Sequence, residues 1–504
     1  MTTSISTYSR ENGGRVILLF LLFLLAIYQF IYAGFSAFAI VCMIPCLILG
    51  AIAVFKWKMT AFWVLILINY FIQWKEVPPL GIPVSLPSEM LQILLLGIAI
   101  IDARQTPHFE RSANLMLYAL IIWCGFCTLE VLNDTCGLGI NFSAWYTGAR
   151  LMAFQILYIF LVFSIYISSP EDLIRYLKLW AGLTLFSALW TFKQQYIGFT
   201  TAESNFLIGS STHILQGGTL IRYFSTFSDA ANYGCNAAAA ATAFAIFGIT
   251  FKIQKDRCIF MIISILVVIA MFASGTRTAI FCMAGGFVIF LFLSKSIKII
   301  VPSAIIGGLF FFILAFTTIG QGNQQIRRMR SAFNRGDASV KVRDINQETM
   351  RKYMQDAPWG IGLGMGYNNV PANNKYNRMA TIAPDSEYVF IWLRTGRIGI
   401  TTFIITMLIM LGGACRIVLF KLKNPTLIGI GGGLCSAFVA IQLGGYANQV
   451  LMQFPNCLIF YGGLTIVYIL PYLEPEWIKY EQEILAKQEE RKRLKLEKKL
   501  ASRV

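Results

Sequence analysis

The strongest constraint on this chain is the recurrence of long, almost uncharged apolar blocks. They occupy positions 16–32, 35–55, 61–74, 90–101, 115–132, 151–167, 177–192, 233–251, 258–273, 278–293, 299–319, 398–420, 427–443 and 457–473. A helix needs roughly 20 apolar residues to span the hydrocarbon core of a bilayer, and most of these blocks approach that length. Apolar side chains make up 57% of the 504 residues and charged ones only 13%, whereas an ordinary soluble domain carries about 25% charged residues. The fold expected is an all-α, polytopic transmembrane helix bundle of about 12–14 spans. Blocks 61–74 and 90–101 are short, and are expected to tilt, to extend into their flanks or to re-enter. The length that remains suits one or two sizeable loops rather than a separate soluble catalytic domain.

Orientation follows from Lys and Arg in the short loops, because cytoplasmic loops keep positive charge and translocated ones avoid it. Arg10 and Arg15 precede the first block; Lys56 and Lys58 follow the second, and Arg104 and Arg111 the fourth. Lys252, Lys255 and Arg257, then Lys295 and Lys298, then Arg416, Lys421 and Lys423 follow later blocks. With an even number of spans all of these fall on one side, read as cytoplasmic together with both termini. The first block lacks a clear small-residue cleavage site and is expected to stay as an anchor. The chain then divides into transmembrane helices over 1–320, a large periplasmic loop over 321–397, further transmembrane helices over 398–473 and a charged cytoplasmic helical tail over 474–504. The localisation expected is a bacterial inner (cytoplasmic) membrane, multi-pass.

Cysteine and histidine say little. The 11 cysteines are an odd number and lie mostly inside apolar blocks, where a free thiol behaves as a small hydrophobe. Cys124 and Cys127 form a C-x-x-C without a second pair, and His108 and His213 are the only histidines, so no H-E-x-x-H site can be built. No cofactor and no metal are expected. The tail mixes Lys, Arg and Glu with a few Leu at helical spacing, as a solvated helix touching anionic headgroups would.

The loop 321–397 breaks the membrane pattern. It carries twelve basic side chains against six acidic ones, and nine of the twelve are Arg: 327, 328, 330, 335, 343, 351, 378, 394 and 397. A loop longer than about 60 residues translocates regardless of its charge, so the orientation stands. The arginine excess still needs a reason, and the planar guanidinium fork matches phosphate oxygens with two hydrogen bonds. A phosphorylated ligand on the outer face is one reading; a loop drawn to lipid headgroups is the other. Nucleic acid is a poor candidate, since no binding module is recognisable. A lipid-linked phosphate or diphosphate, confined to the membrane with its head at this depth, suits better.

Smaller motifs fall on the same face. Ser274-Gly275-Thr276-Arg277 is a short turn that leaves Arg277 at the membrane surface, where an unpaired arginine is costly. Arg222 opens the run to Gly234 that leads into a helix which Asp229 and Asn232 could cap. Pro358-Trp359-Gly360-Ile361-Gly362-Leu363-Gly364-Met365-Gly366 alternates glycine, which permits close approach of backbone N–H groups to a ligand and equally a plain hinge. Upstream, 343–356 reads as a helix, with Arg343, Met350 and Met354 at compatible spacings.

Taken in order, these residues resemble the signature of the O-antigen ligase and O-antigen polymerase superfamily of bacterial polysaccharide assembly membrane proteins. The resemblance covers Arg222 to Gly234, Ser274 to Arg277, Arg343, the glycine run, Pro384-Asp385-Ser386-Glu387-Tyr388 and Gly396-Arg397-Ile398-Gly399. The family carries a histidine-asparagine pair where this chain has Asp385 and Ser386, a departure that tilts the reading from ligation towards polymerisation. The resemblance implies a membrane glycosyltransferase that moves or polymerises an undecaprenyl-diphosphate-linked glycan onto a sugar hydroxyl at the periplasmic face. Its partners would be that glycan donor, a sugar acceptor, the lipid bilayer and other polysaccharide-assembly proteins. Arg222, Arg277 and Arg343, with Gly362 and Gly364, are the expected diphosphate-binding residues. Asp385 is the expected base with Glu387 in reserve, so that Asp385, Glu387, Arg277 and Arg343 form the expected catalytic set. The competing class is a lipid-linked oligosaccharide flippase. It predicts charges within the helices and an internal repeat, and neither is visible.

Overall fold

A computed structural model of the protein describes residues 48–77, 84–102, 108–210, 213–215, 220–320, 322–330, 338–366 and 369–501, with scattered positions between 14 and 28. Most of the first expected span, most of the second, Arg10, Arg15, Arg104 and positions 331–337 lie outside the described residues. The chain divides into two units, Met1–Val64 and Leu65–Val504. In the first, α1 (Ile48–Lys56) is followed after Trp57 by α2 (Lys58–Phe71), which runs on into the second unit.

The second unit continues with α3 (Leu86–Ile101), α4 (Leu115–Leu129), α5 (Phe142–Tyr166), α6 (Pro170–Tyr196) and α7 (Thr201–Ile208). A two-stranded antiparallel ribbon, β1 (Ile214–Leu215) with β2 (Leu220–Ile221), precedes α8 (Ala230–Thr250), α9 (Gln254–Ala273), α10 (Thr278–Leu293) and α11 (Ile297–Phe316). Then come α12 (Gln324–Arg330), α13 (Ala338–Tyr353), α14 (Asn377–Thr381), α15 (Glu387–Arg416), α16 (Pro425–Ala447) and α17 (Gly462–Ala501).

The fold is all-α, 78% helical, and a multi-pass membrane bundle. Among the described residues seven helices are long and apolar enough to cross a membrane, or eight if α1 and α2 form one broken span. The difference from the expected 12–14 has physical causes. Two early blocks are only partly described, and the blocks behind α2, α3 and α10 yield helices of only 14, 16 and 16 residues. The block at 177–192 lies in α6, whose Glu171, Asp172, Arg175, Lys178 and Lys193 make it more polar than a membrane span.

Small side chains set the packing at the centre. The run Ala237–Ala241 lets α8 lie close to its neighbours α9, α10 and α16. Between α10 and α16 a Cβ on Gly286 would stand 2.7 Å from the Ser436 carbonyl oxygen, so these helices touch backbone to backbone, as expected where lipid supplies no hydrophobic drive.

The two ends of α8 differ in chemistry. Beyond Thr250, Lys252 pairs with Glu481 of α17 at 3.0 Å, and Glu481 also accepts hydrogen bonds from Asn424 and Thr426. Lys295 donates to the Leu422 carbonyl, and Arg111 lies over the Tyr472 ring. Three of the short-loop cations thus reach residues of α17 or of the turn before α16. The tail continues α17 without a break to Ala501. At the other end, the start of α8 meets the end of α9 and the start of α10, and the arginines gather there.

Candidate active site

The site begins with a four-residue turn. Ser274 to Arg277 joins α9 to α10, and Gly275, at φ 57°, lets the chain reverse so that successive carbonyls point outward. The Ser274 carbonyl accepts from Arg222 Nε at 3.4 Å, and the Gly275 carbonyl from Arg328 Nε at 2.9 Å. Arg222 Nη2 also donates to Thr276 Oγ1 at 3.2 Å, and that hydroxyl donates to the Ala230 carbonyl at the start of α8. Two guanidinium groups are therefore held by the turn that carries a third, Arg277, at the N-terminal end of α10, where the helix dipole adds positive potential.

Arg343 joins them from α13. This helix buries Met350 and, just past its end, Met354 in an apolar cluster with Ile361, Tyr376, Met379 and Leu393. Arg343 lies two turns before Met350 and so on the same helical face. Its charge acts on Arg222: burial first, and then the charges of Arg277 and Arg343, push the Arg222 guanidinium below the usual arginine range against the pull of Asp229. Arg222, Arg277 and Arg343, far apart in sequence, share one electrostatic neighbourhood.

The glycine run does something else. Inside α15, Gly396 adopts φ 66° and ψ −165°, which breaks the helix and strips the Leu393 and Arg394 carbonyls of their helical partners. The run supplies replacements: Ile361 N–H donates to Leu393 O at 2.8 Å and Gly362 N–H to Arg394 O at 2.9 Å. Ile398 N–H donates in turn to Pro358 O at 3.3 Å. Close approach requires glycine on both sides, since a Cβ on Gly360 would collide with the backbone at Arg394 and Gly396, and one on Gly396 with Pro358. Gly362 therefore presents its N–H to a helix carbonyl, and Gly364 packs against Ala144 and Trp145. The Gly362 N–H, expected to face a diphosphate, is thus taken by the Arg394 carbonyl.

The acidic candidates lie at the start of α15. The Leu451 N–H donates to Glu387 Oε2 at 3.0 Å, Ser386 Oγ to the Gly445 carbonyl, and Tyr388 OH bonds to Gln442. Glu387 is thus a buried anchor for the segment after α16, 3% exposed. Asp385 differs. It is half-buried, in the left-handed region at φ 51°, and its carboxylate has no bonding partner among the described residues. The stretch 387–397, expected as loop, is helical up to the Gly396 break.

Other candidates resolve into structure. Asp229 caps α8 by accepting from the N–H groups of Ala231 and Asn232, while the Asn232 side chain reaches Ser228 and the Phe454 carbonyl. His213 lies between Ser210, 2.6 Å from Nδ1, and the Ala230 N–H, which donates to Nε2 at 3.1 Å. Its ring stacks edge-on to Phe206 and Phe224, and burial, then Arg222, pushes its pKa down to about 4. Arg330 closes α11 by donating to the carbonyls of Thr317 and Ile319.

Sequence reading missed the placements of Arg328, Arg150 and Arg394. The first two signals were absent: Arg328 is one of several loop arginines, and Arg150 sits at the edge of an apolar block, where its ion pair with Glu89, 3.3 Å and buried, comes from another helix. Arg394 lies two residues before the Gly396 break, donates to the Leu363 carbonyl at 3.2 Å and stands over the Phe390 ring. That glycine, in a sequence otherwise reading as a span, was the available clue. Among the described residues no three His, Cys, Asp or Glu side chains gather into a metal-ligand set.

Fold and site define a multi-pass membrane protein with a cluster of guanidinium groups, suited to an anionic ligand, where three helices end. Residues 259–404 match the family model described as O-antigen ligase, and this match supports the O-antigen ligase superfamily, with a ligase- or polymerase-type activity. The matched stretch takes in Arg277, Arg328, Arg343, the glycine run, Asp385, Glu387 and Arg394; Arg150 and Arg222 precede it. No curated protein matches the chain.

Proposed function

We propose that the protein transfers or polymerises an undecaprenyl-diphosphate-linked glycan onto a sugar hydroxyl at the periplasmic face of the bacterial inner membrane. The observation that carries this reading is the convergence of Arg222, Arg277, Arg328 and Arg343 about one turn. A polyanion at that turn would meet several guanidinium groups at once, and each charge-assisted hydrogen bond contributes roughly 1.5–3 kcal/mol.

In the reaction, the acceptor hydroxyl oxygen forms a bond to the anomeric carbon of the donor sugar. The bond from that carbon to the diphosphate oxygen breaks, and its electron pair leaves with the diphosphate, where the arginines stabilise the growing charge. The hydroxyl proton passes to Asp385, whose carboxylate has no partner among the described residues; a positioned base contributes about 10² to 10⁴-fold. Glu387 positions the segment after α16 instead, since a backbone N–H occupies its carboxylate.

The test is complementation of a deletion strain followed by gel analysis of surface glycan. Single-repeat products in the deletion strain identify a polymerase, and full-length polymer left on the carrier identifies a ligase. Arg277→Ala should reproduce the deletion phenotype at normal protein abundance. A wild-type glycan pattern from that variant would falsify the donor assignment.

A further inference from the structure

A second polar site lies beside the arginine turn. It is a cavity of about 380 Å³, within the size range of small-molecule sites. Its charges come in compensating pairs: Arg150 lies against Glu89, and Arg394 beside Glu387. Three polar atoms of its lining residues, Nε of Arg150, Nε of Arg394 and Oε1 of Gln73, lie buried behind the wall with no hydrogen-bond partner among the described residues. The lining residues carry guanidinium, amide and hydroxyl groups, which suit an occupant offering both acceptors and donors.

The remaining walls narrow the chemistry. Gln73 donates to Gln453 at 3.1 Å, and Gln449 and Ser85 add further amide and hydroxyl groups. Phe390 and Phe454 supply flat apolar surface. Amides that bond hydroxyls, rings that cover C–H faces and a balanced charge suit a hydroxyl-rich saccharide. A diphosphate would meet the Glu387 carboxylate here, and the Arg150 charge is already paired with Glu89. The segment after α16 connects this chamber to the arginines: Asn448 donates to Thr278 Oγ1, next to Arg277, at 3.1 Å, while Gln449, Met452, Gln453 and Phe454 line the chamber.

We propose that the chamber between Glu387, Arg394, Arg150 and the segment 449–454 binds the acceptor saccharide, placing its attacking hydroxyl towards the diphosphate held at Arg277. This rests on the donor reading above and deepens it. Glu387 and Arg394 are positioning residues; the glutamines and Ser85 make the direct contacts.

The experiment uses the full-length protein purified in detergent and two probes. One is a polyprenyl diphosphate; the other is the lipid-free repeat oligosaccharide, released by mild acid from carrier-linked material of the same cells. Two variants are compared with the parent: Gln453→Ala, and Thr147→Trp, an exposed lining position at which a large side chain plugs the chamber without entering the core. Both should weaken oligosaccharide binding at least 10-fold and leave polyprenyl diphosphate binding within 2-fold of the parent. Unchanged oligosaccharide affinity in both variants would mean that the chamber holds only water, and parallel loss of both probes would assign it to the donor; either result overturns the proposal. Arg277→Ala provides the separate control. If it keeps the parent's affinity for polyprenyl diphosphate, the donor reading fails whatever the chamber variants show.

Discussion

Replacing Arg343 with glutamine should separate stability from function. Arg343 adds positive charge to a neighbourhood that already holds Arg222, Arg277 and Arg328. At an effective dielectric of about 20 and a separation near the Debye length, a pair of like charges costs roughly 1–2 kcal/mol. Arg343→Gln removes that repulsion in the ligand-free protein and keeps much of the side chain's length and packing. The thermal midpoint of the purified protein should therefore hold or rise by about 1–2 °C, since a change of 1 kcal/mol moves larger proteins by only a few degrees. Activity should move the other way. Losing one or two charge-assisted hydrogen bonds of about 1.5–3 kcal/mol each lowers the transfer rate by roughly 10 to 10⁴-fold. The same logic gives a ligand effect: pyrophosphate should raise the midpoint of the parent protein more than that of the variant, and added salt should shrink the difference. The assays are differential scanning fluorimetry in detergent, with and without pyrophosphate, and transfer measured from carrier-linked glycan. A variant that melts several degrees lower yet transfers normally would refute the argument, because Arg343 would then be a packing residue.

Three further outcomes are expected. Asp385→Asn should lower transfer by about 10² to 10⁴-fold with an unchanged melting temperature, whereas Glu387→Gln should chiefly lower stability because it weakens the buried bond to Leu451; activity lost with full stability in Glu387→Gln would move the base there. His213 binds its proton with a folded pKa of about 4 instead of 6.5, so the unfolded chain takes up a proton that the folded one refuses between these values. Stability is complete above pH 6.5 and falls by up to about 3 kcal/mol as the pH drops towards 4, and His213→Phe should flatten that part of a stability-versus-pH curve measured by fluorimetry. Gly396→Ala should be among the most damaging single changes, by roughly 3 kcal/mol or more, because the new Cβ both strains a left-handed position and meets Pro358; near-normal expression and melting temperature would show that the break in α15 tolerates a side chain.

By itself the amino-acid sequence determined the membrane class, because alternation between apolar blocks and charged loops is a one-dimensional pattern that a bilayer reads directly. The resemblance to the O-antigen ligase and polymerase superfamily, carried by short motifs in order along the chain, singled out Arg222, Arg277 and Arg343. Only the tertiary structure decided which groups meet. The alternating glycines gave no sign of the helix they abut: that pairing depends on Gly396, thirty-odd positions away, leaving two carbonyls without helical partners. Asp385 and Glu387 are two residues apart, yet the first carboxylate has no partner among the described residues and the other holds down the chain after α16. The chamber around Arg150 and Arg394 is assembled from the turn after α2, the residues just before α3, α5, α15 and the segment after α16. Its unsatisfied atoms exist only once those elements pack, because burial and hydrogen-bond partners are properties of three-dimensional neighbours and leave no trace in local sequence.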